Sequence, residues 1–565
     1  MKRIYLVLIA TIAITFVSCS DQEIDTVKPD AGQVAPIIDL PEGATQGRIL
    51  VKFKPEAASF LDAATTRSVG TALTRSGISD MDAVLQRIGT SKLERIFPVD
   101  SRTEERTRKA GLNLWYIIHF AEDTDLEQVA KDLSQVADVA KVQFTRAIQR
   151  SYDPNVRATV LTKQAMTRVV HTTRAVNTDA NDPFFNLQWG CKNDGSILQN
   201  GEKNDKGDNV VPAVMGVDVN CGEAWKLCTG NPSIVVAVLD EGVMYDHPDL
   251  EGNIWVNEDE TFASKEDADG NGYAGDRYGY NFTDDKGYIS YDDPNDTGHG
   301  THVAGIISAV RNNGEGISGI AGGDKANNRG GVKIMSCQVF SGSKGCDLYQ
   351  EAKAVKYAAD NGAVILQCSW GYNSGLSNPI SGYTPGFTSD KDWVDAAPLE
   401  KEAFDYFLHN AGSPNDVIDG GIIVFAAGNE YAAMAGYPGA YPDYISVAAL
   451  AADGTPSCYS NYAMGVSIAA PGGDSDYHQS SKGKIYSTLP PSANEDGGEN
   501  SHYGYMEGTS QACPHISGVA ALGLSYAAEL HRHFRADEFR KMILESVNPV
   551  EPYFKETKVY WYTNA

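Results

Sequence analysis

The chain has 565 residues, 42% of them hydrophobic and 21% charged, which excludes a collagen-like, coiled-coil or wholly disordered protein and suits two or three domains. Its formal net charge of −27 argues against a nucleic-acid partner, because binding a phosphate backbone needs a clustered excess of Lys and Arg. An acidic surface keeps a protein soluble, and some of these carboxylates are candidates to hold calcium.

Met1-Lys2-Arg3 is a basic start, and residues 4–17 form an apolar run too short to span a bilayer comfortably. The run ends at Ser18-Cys19-Ser20, so residues 1–18 read as a signal peptide and the protein as exported. A Cys directly after Phe16-Val17-Ser18 resembles the lipobox of bacterial lipoproteins. That resemblance implies a lipid on Cys19 and a membrane anchor, outer membrane or cell surface; plain secretion with Cys19 removed is the alternative.

Residues 19–46 are polar with scattered Pro and Gly and read as a tether. Residues 47–150 read as a small α+β unit. Within it 48–53 alternates as a strand, 114–120 is a second strand and 139–144 a third. Leu126, Val129, Leu133 and Val136 give 125–137 a helical period. Residues 151–180 have no period and read as a linker and processing region.

From residue 181 to the end, short apolar runs at 234–239, 332–340, 364–368, 422–427 and 445–450 alternate with helical stretches at 303–310, 349–361 and 514–526. Buried strands alternating with helices predict an α/β domain, a parallel sheet flanked by helices on both faces. Sites in such sheets lie at the carboxyl ends of strands. Eight cysteines follow Cys19, with no zinc spacing among them and no deducible disulfide connectivity.

Asp240 ends the first of these strands, where a carboxylate can orient a base. His299 opens a helix in Gly298-His299-Gly300-Thr301-His302 and can take and return a hydroxyl proton. No Glu lies between His299 and His302 as a zinc-protease helix requires. Ser510 sits at a turn entering an apolar helix, in Gly508-Thr509-Ser510-Gln511-Ala512-Cys513-Pro514. A base would make its hydroxyl a nucleophile, and the helix N-terminus would favour a developing oxyanion. Asn429 follows the apolar strand of Phe425-Ala426-Ala427-Gly428-Asn429-Glu430.

Taken in order, these motifs resemble the subtilisin (subtilase) family over about residues 181–550. The resemblance implies a serine endopeptidase with Asp240 as orienter, His299 as general base and acid, Ser510 as nucleophile and Asn429 as oxyanion donor. It implies that Cys368-Ser369-Trp370-Gly371 pairs with substrate backbone, through Ser369, Trp370 and Gly371. It makes Gly436 the floor of an open specificity pocket with Glu430 at its rim, and lets Trp370 narrow the neighbouring subsite. Cys513 departs from the family pattern and suggests sensitivity to thiol reagents. Asp249, Gln188 and Asn313 match or fall near calcium ligands of the subtilisins. Independently, Asp267, Asp269, Asn271 and Asp276 form a Gly-kinked run of oxygen donors that suits Ca2+ as a structural ion. The 47–150 unit suits a propeptide that assists folding and blocks the site until self-cleavage.

The expected partners are extended polypeptide substrates and the chain's own propeptide, with no nucleic acid, and the expected state is a monomer. Two other readings share the fold: a catalytically silent binding protein, and a narrow-specificity maturation protease whose cleft is walled by residues 257–297 and 372–419.

Overall fold

The computed structural model describes residues 34–67, 72–150, 152–161, 179–493 and 502–554. The signal peptide, Cys19 and residues 162–178 lie outside the described residues. Among the described residues no helix is long and apolar enough to cross a membrane.

The N-terminal unit is a five-stranded sheet in the order β1-β5-β2-β4-β3, with β1 Ile37–Ile38, β2 Arg48–Phe53, β3 Lys92–Arg95, β4 Trp115–His119 and β5 Val139–Gln143. Helices α1 Ala58–Arg67, α2 Ser79–Arg87, α3 Glu104–Lys109 and α4 Leu126–Ser134 complete it. Asp125 caps α4 by accepting from the backbone N–H groups of Glu127 and Gln128, as an N-cap carboxylate should. The unit begins inside the expected tether: β1 pairs with β5, and Ala35 and Ala44 are core residues. The two isoleucines add an apolar edge that the polar surroundings of 19–46 hid.

The period-2 rule assigns the two faces of this sheet. Ile49, Val51, Phe53, Tyr116 and Ile118 pack under the unit's own helices. Leu50, Trp115 and Ile117 point the other way, into a core shared with the larger domain. Ion pairs surround that second face, with cations on the N-terminal unit and anions on the large domain. Arg48 meets Asp347 at 3.0 Å, Lys52 meets Glu402 at 2.6 Å and Arg106 meets Asp360 at 2.9 Å. The buried indole of Trp115 donates to Glu402 at 2.8 Å.

The large domain is built on β6 Val235–Glu241, β7 Gly279–Asn281, β8 Lys333–Ser341, β9 Lys344–Gly345, β10 Ala363–Cys368, β11 Ile422–Ala426, β12 Ile445–Leu450 and β13 Ile468–Pro471. Its main order is β9-β8-β6-β10-β11-β12-β13, with β7 also on β8, and every pairing is parallel except β8–β9. Ile234, Val236 and Val238 enter one core, and Val235, Ala237 and Leu239 the other. Burying each such side chain contributes roughly 1.5–3 kcal/mol, so β6 is fixed in register from both faces.

Helices α5 His299–Ser308 and α9 Thr509–Glu529 cover one face. On the other, α6 Leu348–Asp360 packs against α8 Pro398–Asn410, which follows the short α7 Asp390–Ala396. The 372–419 stretch therefore contains two helices that its lack of a clean apolar period concealed. Helix α10 Ala536–Glu545 closes the domain.

Candidate functional site

Three of the four expected site residues come from ends of elements. Asp240 lies in the last turn of pleat of β6, one residue before the strand ends, and is 1% exposed. His299 is the first residue of α5 and 3% exposed. Gly298 before it adopts a left-handed φ of 77°, and a Cβ there would lie 2.6 Å from Pro490 Cδ, so the turn into α5 requires glycine. Ser510 is the second residue of α9, the longest helix of the domain, and its hydroxyl sits at the positive end of the helix dipole.

His299 Nδ1 lies 2.8 and 3.0 Å from the two oxygens of Asp240, whose Oδ1 also accepts the Glu241 N–H at 2.7 Å. This contact favours the tautomer with the proton on Nδ1 and leaves Nε2 as the basic nitrogen. Nε2 is buried and has no hydrogen-bond partner among the described residues. Ser510 Oγ donates instead to the Ser369 carbonyl at 3.2 Å, and Ser369 Oγ donates to the Ser510 carbonyl at 2.8 Å. Asn429 follows β11, and its Oδ1 accepts from the backbone N–H and the hydroxyl of Thr509, both at 2.9 Å. With its acceptor end held by α9, the donor end of the amide is oriented beside the Ser510 helix start.

The chain's own N-terminal segment covers the face of this imidazole. Tyr152 stacks on the His299 imidazole with ring centroids 3.8 Å apart and 14° between planes. Ala147 forms an antiparallel bridge to Asp347, Ile148 N–H donates to the Cys346 carbonyl at 2.8 Å, and Thr159 bridges Tyr505. The described part of the expected linker, from Tyr152 to Arg157, thus borders a cleft of about 470 Å³ also lined by His299, Asn429, Glu430, Tyr383, Met506 and Gln511.

The geometry places the other expected residues as follows. Trp370 is 2% exposed with the N-terminal unit docked, and it packs edge-on against Phe425 at 5.6 Å. Gly436 is required by close backbone approach, since a Cβ there would sit 2.0 Å from the Tyr372 carbonyl. The Gly371 position likewise faces backbone, 3.0 Å from the Tyr437 carbonyl. Glu430 lines the cleft, but its carboxylate accepts from Asn429 N–H at 3.0 Å, Ser374 N–H at 3.2 Å and Asn461 Nδ2 at 2.5 Å. It positions the Asn429 turn and has little capacity left for a basic ligand. Cys513 is fully buried and donates to Gln367 Oε1 at 3.4 Å, and burial pushes its thiol up to about 12. It is shielded from the thiol reagents expected to reach it.

The family model for the subtilase family matches residues 231–558, and the model for the N-terminal region of that family matches residues 49–195. The chain belongs to the subtilase family. It is 30% identical over 323 residues to halolysin of Haloferax mediterranei, covering 56% of this chain and 47% of the relative. It is 26% identical over 342 residues to the thermophilic serine proteinase of Bacillus sp. strain AK1, covering 60% of this chain and 63% of the relative. Thermitase of Thermoactinomyces vulgaris is 29% identical over 307 residues, 54% of this chain and 79% of the relative. The matches thus span less than two thirds of the length of halolysin and the thermophilic proteinase.

Two acidic groups of this subtilase offer oxygen donors. Glu260, Asp267 and Asp269 bring a carboxylate oxygen each to within 4.8 Å of one another. Glu260 was not expected there; it arrives from outside the 267–276 run. Asn271 lies behind, donating to Asp269 at 3.2 Å and Asp276 at 3.0 Å, and Asp276 is fully buried and accepts from Tyr357 at 2.7 Å. Burial pushes Asp276 up to about 6. In the second group Asn313 Nδ2 lies 2.7 Å from Asp249, which is fully buried and pushed well up by that burial and by neighbouring Asp182. Gln188 is turned to the backbone of Ser318, bonded at 2.7 and 2.9 Å. Asp182, which no sequence motif singled out, lies close enough to Asp249 for its charge to act on it. Like-charged buried carboxylates fit a hard divalent cation.

The groups that the sequence motifs missed are Arg150, Tyr152, Glu241 and Asp296. Glu241 accepts the backbone N–H groups of Thr297 at 2.9 Å and His299 at 3.0 Å, holding the start of α5. A Glu ending a wholly apolar strand next to Asp240 was the available signal.

Proposed function

We propose that this subtilase is an exported serine endopeptidase, here in its precursor state, that cuts extended polypeptides with Asp240, His299, Ser510 and Asn429. The observation that carries the reading is the buried His299–Asp240 contact at 2.8 Å beside the Ser510 helix start. In the reaction the substrate replaces Tyr152 over the imidazole and Ser510 Oγ turns from the Ser369 carbonyl toward Nε2. His299 takes its proton as Oγ attacks the scissile carbonyl, and Asp240 stabilises the imidazolium. The Ser510 N–H and Asn429 Nδ2 donate to the oxyanion. His299 then gives its proton to the leaving amine, which departs and leaves an acyl-enzyme. Water, deprotonated by the same nitrogen, releases the acyl group and restores Ser510.

In this reading the N-terminal unit is the propeptide, docked by its ion pairs and followed into the cleft by residues 147–150 and 152–159, and the first cut falls within 150–182. Signal removal at Cys19 leaves a lipid-anchored, monomeric protein. Calcium occupies the Glu260–Asp267–Asp269 group and the Asp249–Asp182 group, with Asn313, and ties loops together without taking part in the chemistry.

The test is paired expression of residues 20–565 and its Ser510→Ala variant, read by intact mass and by a fluorophosphonate probe. The parent shortens within 150–182 and takes up the probe, and the variant does neither. A folded parent that neither shortens nor labels refutes the reading.

A further inference from the structure

Arg150 is the one residue of the threaded segment whose charged end is buried in the large domain. Its side chain is 9% exposed. Nη2 donates to the Gly342 carbonyl at 2.7 Å and lies 3.5 Å from Glu241 Oε1 and 3.6 Å from Asp296 Oδ1. The guanidinium lies over the Phe340 ring at 5.1 Å, and Nε donates to the Tyr152 hydroxyl at 3.1 Å. Every wall of this pocket except Tyr152 comes from the large domain.

The pocket is built for a cation that the large domain does not supply. Glu241 and Asp296 are 1% and 2% exposed. Among the described residues no other Lys or Arg pairs with either carboxylate. Asp296 Oδ2 has no hydrogen-bond partner there. Two buried like charges are costly unless a cation joins them. Among the described residues Arg157, the next cation along the segment, bonds the backbone carbonyls of Asp296 and Pro294. Once the threaded segment leaves, Glu241 keeps the N–H groups of Thr297 and His299 and Asp296 keeps the Gly342 N–H, but neither carboxylate retains a cation among the described residues.

The pocket also lies where a substrate side chain would enter. Glu241 follows Asp240 in β6 and holds the His299 N–H. The segment approaches as an added strand, through the Ala147–Asp347 bridge and Ile148, and places Arg150 two residues on, just before Tyr152 covers the imidazole. A planar fork over an aromatic face, between two carboxylates and a carbonyl, suits guanidinium better than ammonium.

We propose that Glu241, Asp296, Phe340 and the Gly342 carbonyl form a subsite for an arginine side chain of the polypeptide being cut, filled in the precursor by Arg150. The inference rests on the proteolytic reading above and adds its sequence preference: cleavage within two residues on the carboxyl side of an arginine.

The test uses the matured enzyme, with active sites counted by the fluorophosphonate probe. Its substrates are the peptide of residues 146–157 and three forms with citrulline, lysine or alanine in place of Arg150, with cleavage followed by mass. Citrulline keeps the shape and removes the charge. The arginine peptide is expected to be cut about 10–100-fold more efficiently in kcat/KM than the citrulline peptide, the range of a charged hydrogen bond, with lysine between. In the Asp296→Asn enzyme the arginine-to-citrulline ratio falls about tenfold. Because the citrulline comparison changes only the substrate, it holds even if Asp296→Asn fails to fold. A labelled enzyme that leaves the arginine peptide uncut, or cuts arginine and citrulline peptides equally, overturns the subsite. An enzyme that takes up no probe refutes the proteolytic reading, and the subsite falls with it.

Discussion

Glu351 of α6 and Glu400 of α8 are both fully buried, and their carboxyls face each other across the packed helices. Glu400 accepts from the Trp393 indole at 2.6 Å and the Tyr372 hydroxyl at 3.4 Å, so the pair underlies the wall that carries Tyr372 and Tyr437. Burial, then the like charge opposite, pushes Glu351 well up; burial pushes Glu400 up to about 8. The folded chain therefore holds protons that the unfolded chain has already released above about pH 4.5. Stability is fully present below that pH and declines as pH rises toward about 8. A rise from 4.5 to about 8, at about 1.36 kcal/mol per unit, is on the order of 5 kcal/mol at most. Glu400→Gln keeps the shape and the acceptor for Trp393 but removes the titration. In a Ser510→Ala background, which prevents self-digestion, Tm measured from about pH 5 to about pH 9 should fall by several degrees more in the parent than in the Gln variant. Identical slopes for the two proteins would refute the claim that this pair is protonated in the fold.

Asn429→Ala should lower kcat about 10²–10³-fold with little change in KM, since the amide acts on the oxyanion; an equal rise in KM would assign it to substrate binding instead. Iodoacetamide should leave native activity intact because the Cys513 thiol is buried and held up to about 12, and rapid inactivation would show that α9 opens. Chelation should lower Tm in the Ser510→Ala protein, and Asp249→Asn or Asp267→Asn should each remove part of that drop; a Tm unchanged by chelator would exclude both cation groups.

Legibility in the sequence followed the strength of local pattern. Strands such as β6, β8 and β11 are continuous apolar runs, and every strand expected from such a run lies within two residues of its expected bounds. Asp240, His299, Ser510 and Asn429 each sit in a short motif, and their chemistry could be read from neighbours in the chain. Helices α7 and α8 were missed because Lys, Glu and Asp interrupt their apolar face, although Trp393, Leu399, Phe404 and Phe407 are buried. Pocket walls were least legible where tertiary approach decides the outcome. Nothing in the sequence tells that a Gly436 Cβ would meet the Tyr372 carbonyl, or that Trp370 turns to Phe425. Arg150 and Tyr152 were hidden for the same reason: their partners in the large domain lie more than ninety residues away in the chain.

The N-terminal sheet has both faces buried, one beneath its own helices and the other on the large domain. A cut in the connecting segment breaks a covalent link and leaves that second face, with Leu50, Trp115 and Ile117, in place. Under the proposed self-processing, scission and activation would be separate events in time. The delay between them is set by the dissociation rate of an apolar, charge-rimmed interface, and conditions that weaken ion pairs, such as high salt, would shorten it. Under the processing proposed above, the interface would work as a clock whose start is the cut and whose period is tuned by Arg48–Asp347 and Lys52–Glu402.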